Sequence, residues 1–286
     1  MAGRRRKQKL HVNGWLIIDK PSGITSTGVC NVVKRLANGA KTGHGGTLDP
    51  LATGLMLLAL GEGTKLLEFL LGCDKTYEVL ARFGEVSDTF DAEGEVVFVS
   101  NKKIDQSVVE AMIFQRFLGD IEQMPPKYSA LKVGGRRACD IVRAGGEVDL
   151  KARDVRIDRF EIVEWNWPEV KFVVDCGSGT YIRSLIADLG EALGVGAYVA
   201  ELRRTRLGSW VLADCERGLL SLEEVVPALF PVWELMEAEL AGLQDGRILA
   251  VACEGLKAAF YQGRFVGLVE GCLGGVKFRK MIISAR

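Results

Sequence analysis

Apolar runs and alternating positions predict that strands form much of this chain. Residues 14–19 and 55–60 are short, largely apolar runs, which is typical of buried strands. Residues 76–83 alternate instead, so Tyr77 and Val79 should share one face of a strand and point towards whatever that face covers. Similar patterns predict further strands at residues 155–163, 170–176, 198–206, 263–269 and 275–280.

Apolar residues at spacings of three and four predict helices between these strands. One helix should begin after a cap at Ser26 or Thr27 and stop at Asn38, and another should cover residues 105–118. A third helix follows a glycine turn and carries Arg183 in its first turn. A cation there opposes the helix macrodipole, so Arg183 requires an anionic partner, either a carboxylate or a phosphate.

Changes in charge, apolar patterning and glycine content divide the chain into segments. Residues 1–12 form a basic arm, and residues 13–239 form the main domain. From residue 240 to 286, short strands and glycine turns predict a small β-rich module. Within the main domain, residues 124–152 interrupt the regular pattern and are interpreted as an insertion with apolar anchors and an outward basic edge.

Composition narrows the possible functions. The 37 basic residues balance the 37 acidic ones, yet residues 127–159 hold nine basic against five acidic side chains, and a phosphate backbone responds to such a local face. No apolar run approaches the roughly 20 residues of a membrane helix, which predicts a soluble protein. The seven cysteines include no CxxC pair, and His11 and His44 are the only histidines. The sequence therefore offers no zinc or multi-histidine site, and its free cysteines suit a reducing compartment.

The stretch 43–54 is the strongest candidate for a functional loop. It holds four glycines, His44 and Asp49, and it runs directly into the apolar residues 55–60. Glycine permits positive φ and a close approach to a ligand, while Pro50 fixes φ just after the acid. These residues alone leave two interpretations open: a turn with a solvated aspartate, or a rigid loop that presents Asp49 at the edge of a core.

Residues 87–94 form a second polar loop, which is rich in carboxylates. A cation site is one interpretation, but the spacing lacks the full pattern of a calcium loop. Turn composition favours a solvated hairpin loop, and this is the expectation that we adopt.

Several stretches, in order along residues 14–210, resemble the motifs of the bacterial tRNA pseudouridine-55 synthases, the TruB family. The longest is the candidate loop 43–54, with the sequence GHGGTLDPLATG. The other matching stretches are GW at 14–15, DKP at 19–21, DKTY at 74–77, PKYSALK at 126–132, GTYIRSL at 179–185 and LRR at 202–204.

The resemblance implies an α+β pseudouridine synthase fold, with a mixed, mainly antiparallel central sheet flanked by helices and a PUA-like module at the C-terminus. Residues 124–152 would be an inserted RNA-clamping segment. The implied activity is isomerisation of the T-loop uridine of tRNA, position 55, to pseudouridine in the cytoplasm. The implied partner is the T-stem-loop of tRNA. No metal, organic cofactor, membrane or guide RNA is expected, and a monomer is the default.

The resemblance also assigns roles to individual residues. It implies that Asp49 is the catalytic aspartate, that Tyr77 stacks on the target uracil, and that Arg183 pairs with Asp49. A nearby guanidinium lowers the pKa of a carboxyl, so Arg183 would keep Asp49 ionised. Tyr77 is also a candidate acceptor for the proton at C5 of the uracil. The remaining residues of the implied substrate pocket are His44, Tyr181, Leu202 and Lys20.

Several alternatives stay open at this point. Asp49 could attack the uracil ring, attack C1′ or remove a sugar proton. His44 could contact RNA or merely cap the loop, and the pair of Arg183 with Asp49 could be purely structural. The rival functions are a relative that works within a guide-RNA ribonucleoprotein, a tRNA-folding chaperone, and an unrelated hydrolase with an aspartate nucleophile.

Overall fold

The fold is built on one large mixed sheet and one small sheet. The structure, a computed structural model, describes residues 12–251 and 253–282, so nearly all of the expected basic arm lies outside the described residues. The strands in chain order are β1 (Gly14–Lys20), β2 (Thr42–His44), β3 (Thr53–Leu60), β4 (Lys75–Phe83), β5 (Glu85–Ser87), β6 (Val96–Phe98), β7 (Gly119–Gln123), β8 (Lys132–Val133), β9 (Arg136–Arg137), β10 (Arg153–Asn166), β11 (Glu169–Cys176), β12 (Ala197–Leu207), β13 (Trp210–Val211), β14 (Leu219–Leu220), β15 (Val232–Glu234), β16 (Leu256–Tyr261), β17 (Arg264–Cys272) and β18 (Gly275–Met281).

Helices connect these strands and cover the large sheet. In chain order they are α1 (Ser26–Leu36), α2 (Glu68–Leu71), α3 (Gln106–Arg116), α4 (Ala138–Arg143), α5 (Ile182–Ala192), α6 (Leu222–Val225) and α7 (Glu237–Gln244). Short 3₁₀ segments occur at Gly61–Leu66, Leu212–Arg217 and Val226–Ala228. In the part of the chain that the structure describes, no helix is both long enough and apolar enough to cross a membrane.

The large sheet is mixed and mainly antiparallel, as expected. Its strand order is β14-β1-β3-β12-β4-β11-β10-β7, with β2 paired to β3 and β13 paired to β12. The strands β3 and β12 pair in parallel, through Thr53 with Arg203 and Gly54 with Arg204. This pairing brings the end of the candidate loop 43–54 beside the arginine-rich strand β12.

The alternation predicted for residues 76–83 is confirmed in β4. Tyr77, Val79 and Phe83 are buried on one face of the sheet, where they pack in the same core as Leu185 and Ile186 of α5. Towards β1 and β3, α1 covers another part of the sheet through a smaller cluster that contains Val29, Cys30, Met56 and Leu58. Tyr77 therefore projects from the same face that α5 covers.

The start of α1 differs from the sequence prediction. Thr25, rather than Ser26 or Thr27, is the N-cap, and its hydroxyl accepts a hydrogen bond from the backbone N–H of Gly28. The Ser26 hydroxyl is buried and instead bonds to both the N–H and the carbonyl oxygen of Leu48, at 2.8 and 2.9 Å. The prediction was wrong because the Ser26 hydroxyl is used in a tertiary contact with the candidate loop and is not available to cap the helix.

The inserted segment and the C-terminal region each contain strands of their own. The insertion contains a two-stranded β8–β9 hairpin followed by the short helix α4. The small sheet has the order β15-β16-β17-β18, so its first strand precedes the boundary expected at residue 240. Phe265 and Leu268 of this sheet share one hydrophobic cluster with Trp15 and Leu55 of the main sheet.

The helix α5 contains a partly buried carboxylate, Asp188, whose pKa is raised to about 6 by burial and by the neighbouring Glu191. We expect Asp188→Asn to raise the free energy of unfolding at pH 7 by about 1 kcal/mol, since one pKa unit is worth about 1.4 kcal/mol and partial exposure screens the effect. The folded-state pKa lies above the ordinary value, so the cost of the charge grows as pH rises from about 4 to about 6.

Urea unfolding at pH 7.5 and at pH 3.5 measures this effect of Asp188→Asn. The gain should be present at the higher pH and largely lost at the lower one, where the carboxyl is mostly protonated in both states. Glu191→Gln, on the exposed side of the same helix, is the control and should give a smaller gain. An equal gain at both pH values would contradict burial of the charge as its cause.

Candidate active site

The loop between β2 and β3 is held rigidly against the large sheet. The strand β2 pairs with the far end of β3, so the loop leaves and re-enters the sheet through neighbouring strands. At its end, Gly54 has a φ of +101°, and an added Cβ would lie 2.2 Å from the carbonyl oxygen of Arg204. Only glycine fits this position, which explains one of the four glycines that mark the loop.

Lys20 fixes the loop from behind rather than lining the cavity. Its side chain is completely buried, and its Nζ donates to the carbonyl oxygens of Pro21, Pro50 and Ala52 at 2.9, 3.1 and 2.6 Å. Burial lowers the pKa of Lys20, while the negative charge of Asp49 acts in the opposite direction. Because its three donors are all used, we assign Lys20 a positioning role for the segment that carries Asp49.

Asp49 and Arg183 form an ion pair at the cavity wall. The Nε of Arg183 lies 2.9 Å from Oδ2 of Asp49, and the two side chains are 5% and 35% exposed respectively. Arg183 also donates to the carbonyl oxygens of Thr89 and Tyr128, at 2.8 and 2.9 Å. The anionic partner that the helix argument required for Arg183 is therefore a carboxylate, and the guanidinium is held on several sides.

Asp91 is a site residue that sequence analysis missed. Its carboxylate is buried and lies 3.5 Å from Nη1 of Arg183. It also accepts hydrogen bonds from the Thr89 hydroxyl at 2.6 Å and from the Glu93 N–H at 3.0 Å. The β5–β6 hairpin is confirmed, but the expectation of a solvated loop is wrong for Asp91, because its loop folds inward over the arginine.

The cation-site interpretation of this hairpin loop finds no support. Within residues 12–251 and 253–282, no group of three or more His, Cys, Asp or Glu side chains is placed to hold a metal ion. The carboxylates of the loop instead serve Arg183 and the loop backbone.

The ionisation of Asp49 reflects competing influences. Burial raises the pKa of this carboxyl, and the negative charge of Asp91 acts in the same direction. The charge and hydrogen bond of Arg183, together with the charge of Lys20, lower it, yet the net direction is upward from the ordinary value. Arg183 is thus the main group that keeps Asp49 in its charged form.

A cavity of about 290 Å³ lies directly beside Asp49. Tyr77, Tyr181 and Leu202 contribute to its walls together with Asp49 and Arg183, so the structure brings most of the expected site residues together. The flat ring of Tyr77 and the apolar side chain of Leu202 suit the two faces of a nucleobase. Burial raises the pKa of the Tyr77 hydroxyl, which keeps it a phenol at neutral pH.

His44 lies in an adjoining cleft of about 840 Å³ rather than in the small cavity. This cleft shares Asp49 and Arg183 with the cavity, and Arg137 and Arg143 of the insertion also line it. Burial and the nearby arginines lower the pKa of His44, so its imidazole is neutral at pH 7. Its Nδ1 has no hydrogen-bond partner among the described residues.

Chemically, the site combines a carboxylate of fixed orientation, Asp49, with a cavity that has space for one flat ring and an adjoining cleft lined by cationic side chains. Asp49 can act as a nucleophile or as a base on a group in the cavity, because Arg183 both orients it and favours its charged form. The cations of the insertion face the route towards Asp49, as expected for a ligand with a phosphate backbone.

Comparison with known proteins agrees with this geometry. Residues 34–182 match the model of the TruB family pseudouridylate synthase N-terminal domain, and residues 183–240 match that of the tRNA pseudouridylate synthase B C-terminal domain. The tRNA pseudouridine synthase B of Azoarcus sp. is 39% identical over 98% of this chain and 98% of its own length. The Gluconacetobacter diazotrophicus protein of that name is 46% identical over 78% of this chain and 72% of its own length.

Solved structures support the same assignment. The chain is similar to one in a crystal structure of a Cbf5-Nop10-Gar1 complex, with a TM-score of 0.69 and 25% identity, covering 94% of this chain and 84% of that chain. From the family models, the relatives and the geometry around Asp49 together, this chain belongs to the TruB family of pseudouridylate synthases.

Proposed function

We propose that this protein isomerises the T-loop uridine of tRNA, position 55, to pseudouridine without a guide RNA. The observation that carries the proposal is the ion pair of Asp49 and Arg183 at the wall of a cavity of about 290 Å³, with Tyr77 on the same wall. A carboxylate held in this way can act on a nucleoside whose base enters the cavity. The name of the Azoarcus relative supports tRNA as the substrate.

Base flipping follows from the chemistry of the reaction. The N1–C1′ bond must break, the uracil must turn, and a new bond must form between C5 and C1′. A base stacked within folded RNA has no room to do this, so it must be extruded, at a cost of a few kcal/mol. Stacking on an aromatic ring is worth roughly 1–3 kcal/mol per base, and Tyr77 is placed to provide it.

The residues around Asp49 take complementary roles in this proposal. Asp49 acts in its charged form on the sugar or the ring, while Arg183 maintains that charge and orientation. Leu202 and Tyr181 confine the uracil, and Lys20 holds the loop. His44, in the adjoining cleft, contacts the RNA near the space from which the base is withdrawn.

Two further segments bind RNA in the proposal. The insertion at residues 124–152 clamps the T-stem-loop with cations such as Arg137 and Arg143, which line the cleft. The small sheet forms a PUA-like module that covers the segment 240–286 and, through β15, begins at Val232. The enzyme works as a monomer in the cytoplasm, and the isomerisation consumes no cofactor.

The proposal is tested with the purified full-length protein and an unmodified tRNA transcript, without any other RNA. Pseudouridine should form at position 55, and a matched transcript with cytidine at that position should remain unmodified. Pseudouridine at another position would contradict the assigned target. A requirement for an added guide RNA would contradict the stand-alone function.

A further inference from the structure

Arg204 carries a buried positive charge that the roles above do not use. Its side chain is completely buried in β12. The Nε donates to the carbonyl oxygen of Leu55 at 2.8 Å, and Nη2 donates to that of Gly46 at 3.3 Å. Its remaining nitrogen, Nη1, has no hydrogen-bond partner within the part of the chain that the structure describes.

Tyr77 is the neighbour of Arg204 across the sheet. The two residues are directly opposite each other in the antiparallel pairing of β4 with β12. Side chains at such positions share one face, with Cβ atoms about 4.5–5.5 Å apart. Both residues also border the cavity beside Asp49. The charge of Arg204 opposes the effect of burial on the pKa of the Tyr77 hydroxyl.

A buried positive charge with a free donor is costly unless an anion or a hydrogen-bond acceptor lies beside it. Asp49 and Asp91 do not meet this need, because both carboxylates are engaged by Arg183. The hydroxyl of Tyr77 is the adjacent group that can become negative, by losing its proton. A phenolate there would have a cation ready to stabilise it, with no rearrangement at the moment of reaction.

We propose that Arg204 is a positioning residue for Tyr77. Its free Nη1 donates to the Tyr77 oxygen once that oxygen has lost its proton, and so stabilises the phenolate that moves the proton of the isomerisation. The inference rests on the proposed function, and it assigns Arg204 a task beyond holding the loop. Arg204 acts through Tyr77 and does not itself contact the uracil.

The proton balance of the reaction gives Tyr77 two transfers. As the N1–C1′ bond breaks, its electron pair stays on N1, which takes the proton of the Tyr77 hydroxyl and leaves a phenolate, while the Asp49 carboxylate balances the positive charge left on the sugar. After the C5–C1′ bond forms, the phenolate takes the proton from C5, and the electrons of that C–H bond restore the ring double bond. The net change is one proton lost from C5 and one gained at N1, with Tyr77 returned to its phenol form.

The test combines Arg204→Lys with 3-fluorotyrosine at position 77, which ionises more readily than tyrosine. Arg204→Lys should slow single-turnover formation of pseudouridine, and release of tritium from C5, at least tenfold, while KM changes less than twofold. Fluorotyrosine at position 77 should then restore the rate of Arg204→Lys at least threefold, and it should help the protein with Arg204 intact less. A purely structural role would give no such rescue, and its absence would overturn the proposal.

Two further measurements keep the outcomes distinct. Arg203→Lys is the matched control, because the neighbouring Arg203 pairs with Asp19 at 2.5 Å. This variant should retain activity within twofold. If Arg204→Lys does not fold, nuclear Overhauser contacts between the Arg204 guanidinium and the Tyr77 ring in the unaltered protein decide the matter, and their absence overturns the proposal. Failure of the unaltered protein to modify the transcript would instead overturn the proposed function.

Discussion

Replacing Asp49 by asparagine is expected to reduce pseudouridine formation roughly 10⁴-fold or more, the scale seen when a catalytic nucleophile is removed. Asparagine has nearly the same shape but cannot carry the negative charge that Arg183 maintains at 2.9 Å. Single-turnover assays with tRNA in excess of its dissociation constant measure the loss. Affinity for tRNA should change less than threefold, because Asp49 contributes chemistry rather than attraction to an anionic ligand.

The control for this experiment is Asp105→Asn. Asp105 is an exposed acid at the N-terminus of α3, and its side chain makes no capping hydrogen bond, so activity should remain within twofold. Substantial turnover by Asp49→Asn would refute the assignment of the catalytic aspartate. The same variant also separates enzyme from chaperone, since a tRNA-folding assay measures any benefit that remains without catalysis.

Arg183→Met is expected to lower the free energy of unfolding by about 3–5 kcal/mol, because it leaves buried negative charge without its partner. It should also reduce activity at pH 7 at least 100-fold, since Asp49 then loses the main group that lowers its pKa. Urea unfolding and single-turnover assays measure the two effects. The matched control is Arg82→Met, whose surface ion pairs with Glu85 and Glu169 are worth about 0–1 kcal/mol.

A second substitution separates the two effects of Arg183→Met. Adding Asp91→Asn removes one of the two carboxylates that Arg183 contacts, so part of the lost stability should return. Activity should not return, because Asp49 still lacks its arginine. If Asp91→Asn lowered the free energy of unfolding further in the Arg183→Met background, the unpaired negative charges of Asp49 and Asp91 could not be the cause of the stability lost in Arg183→Met.

The part of the site formed by local patterns could be predicted from the sequence. Alternation in residues 76–83 correctly predicted that Tyr77 points towards the covered face of the sheet, because side-chain direction in a strand follows directly from its period of two. The helix-dipole argument correctly required an anion beside Arg183, since the field at a helix end depends on the backbone alone. The mixed, mainly antiparallel sheet was expected from the family resemblance.

What failed depends on contacts between distant segments. The residues around Asp91 have the composition of a solvated turn, and no local pattern identifies Arg183, 92 positions later, as the group that draws the carboxylate inward. Ser26 is a residue type that often caps helices, but its hydroxyl is hydrogen-bonded to the backbone of Leu48 instead. The density of Ser, Thr and Asp in residues 87–91 was the one available signal, because such side chains often satisfy a buried network.

The parallel pairing of β3 with β12 has a consequence for how the protein is made. It joins residues 53–54 to residues 203–204, and Arg204 reaches back 149 positions to the carbonyl oxygen of Leu55. Contacts with such large sequence separation form late, because the loop-closure entropy must be overcome first. On the ribosome, the loop that carries Asp49 emerges early but cannot adopt its final shape until β12 has been synthesised. Catalytic competence should therefore arise only after β12 has been synthesised, rather than with the first strands.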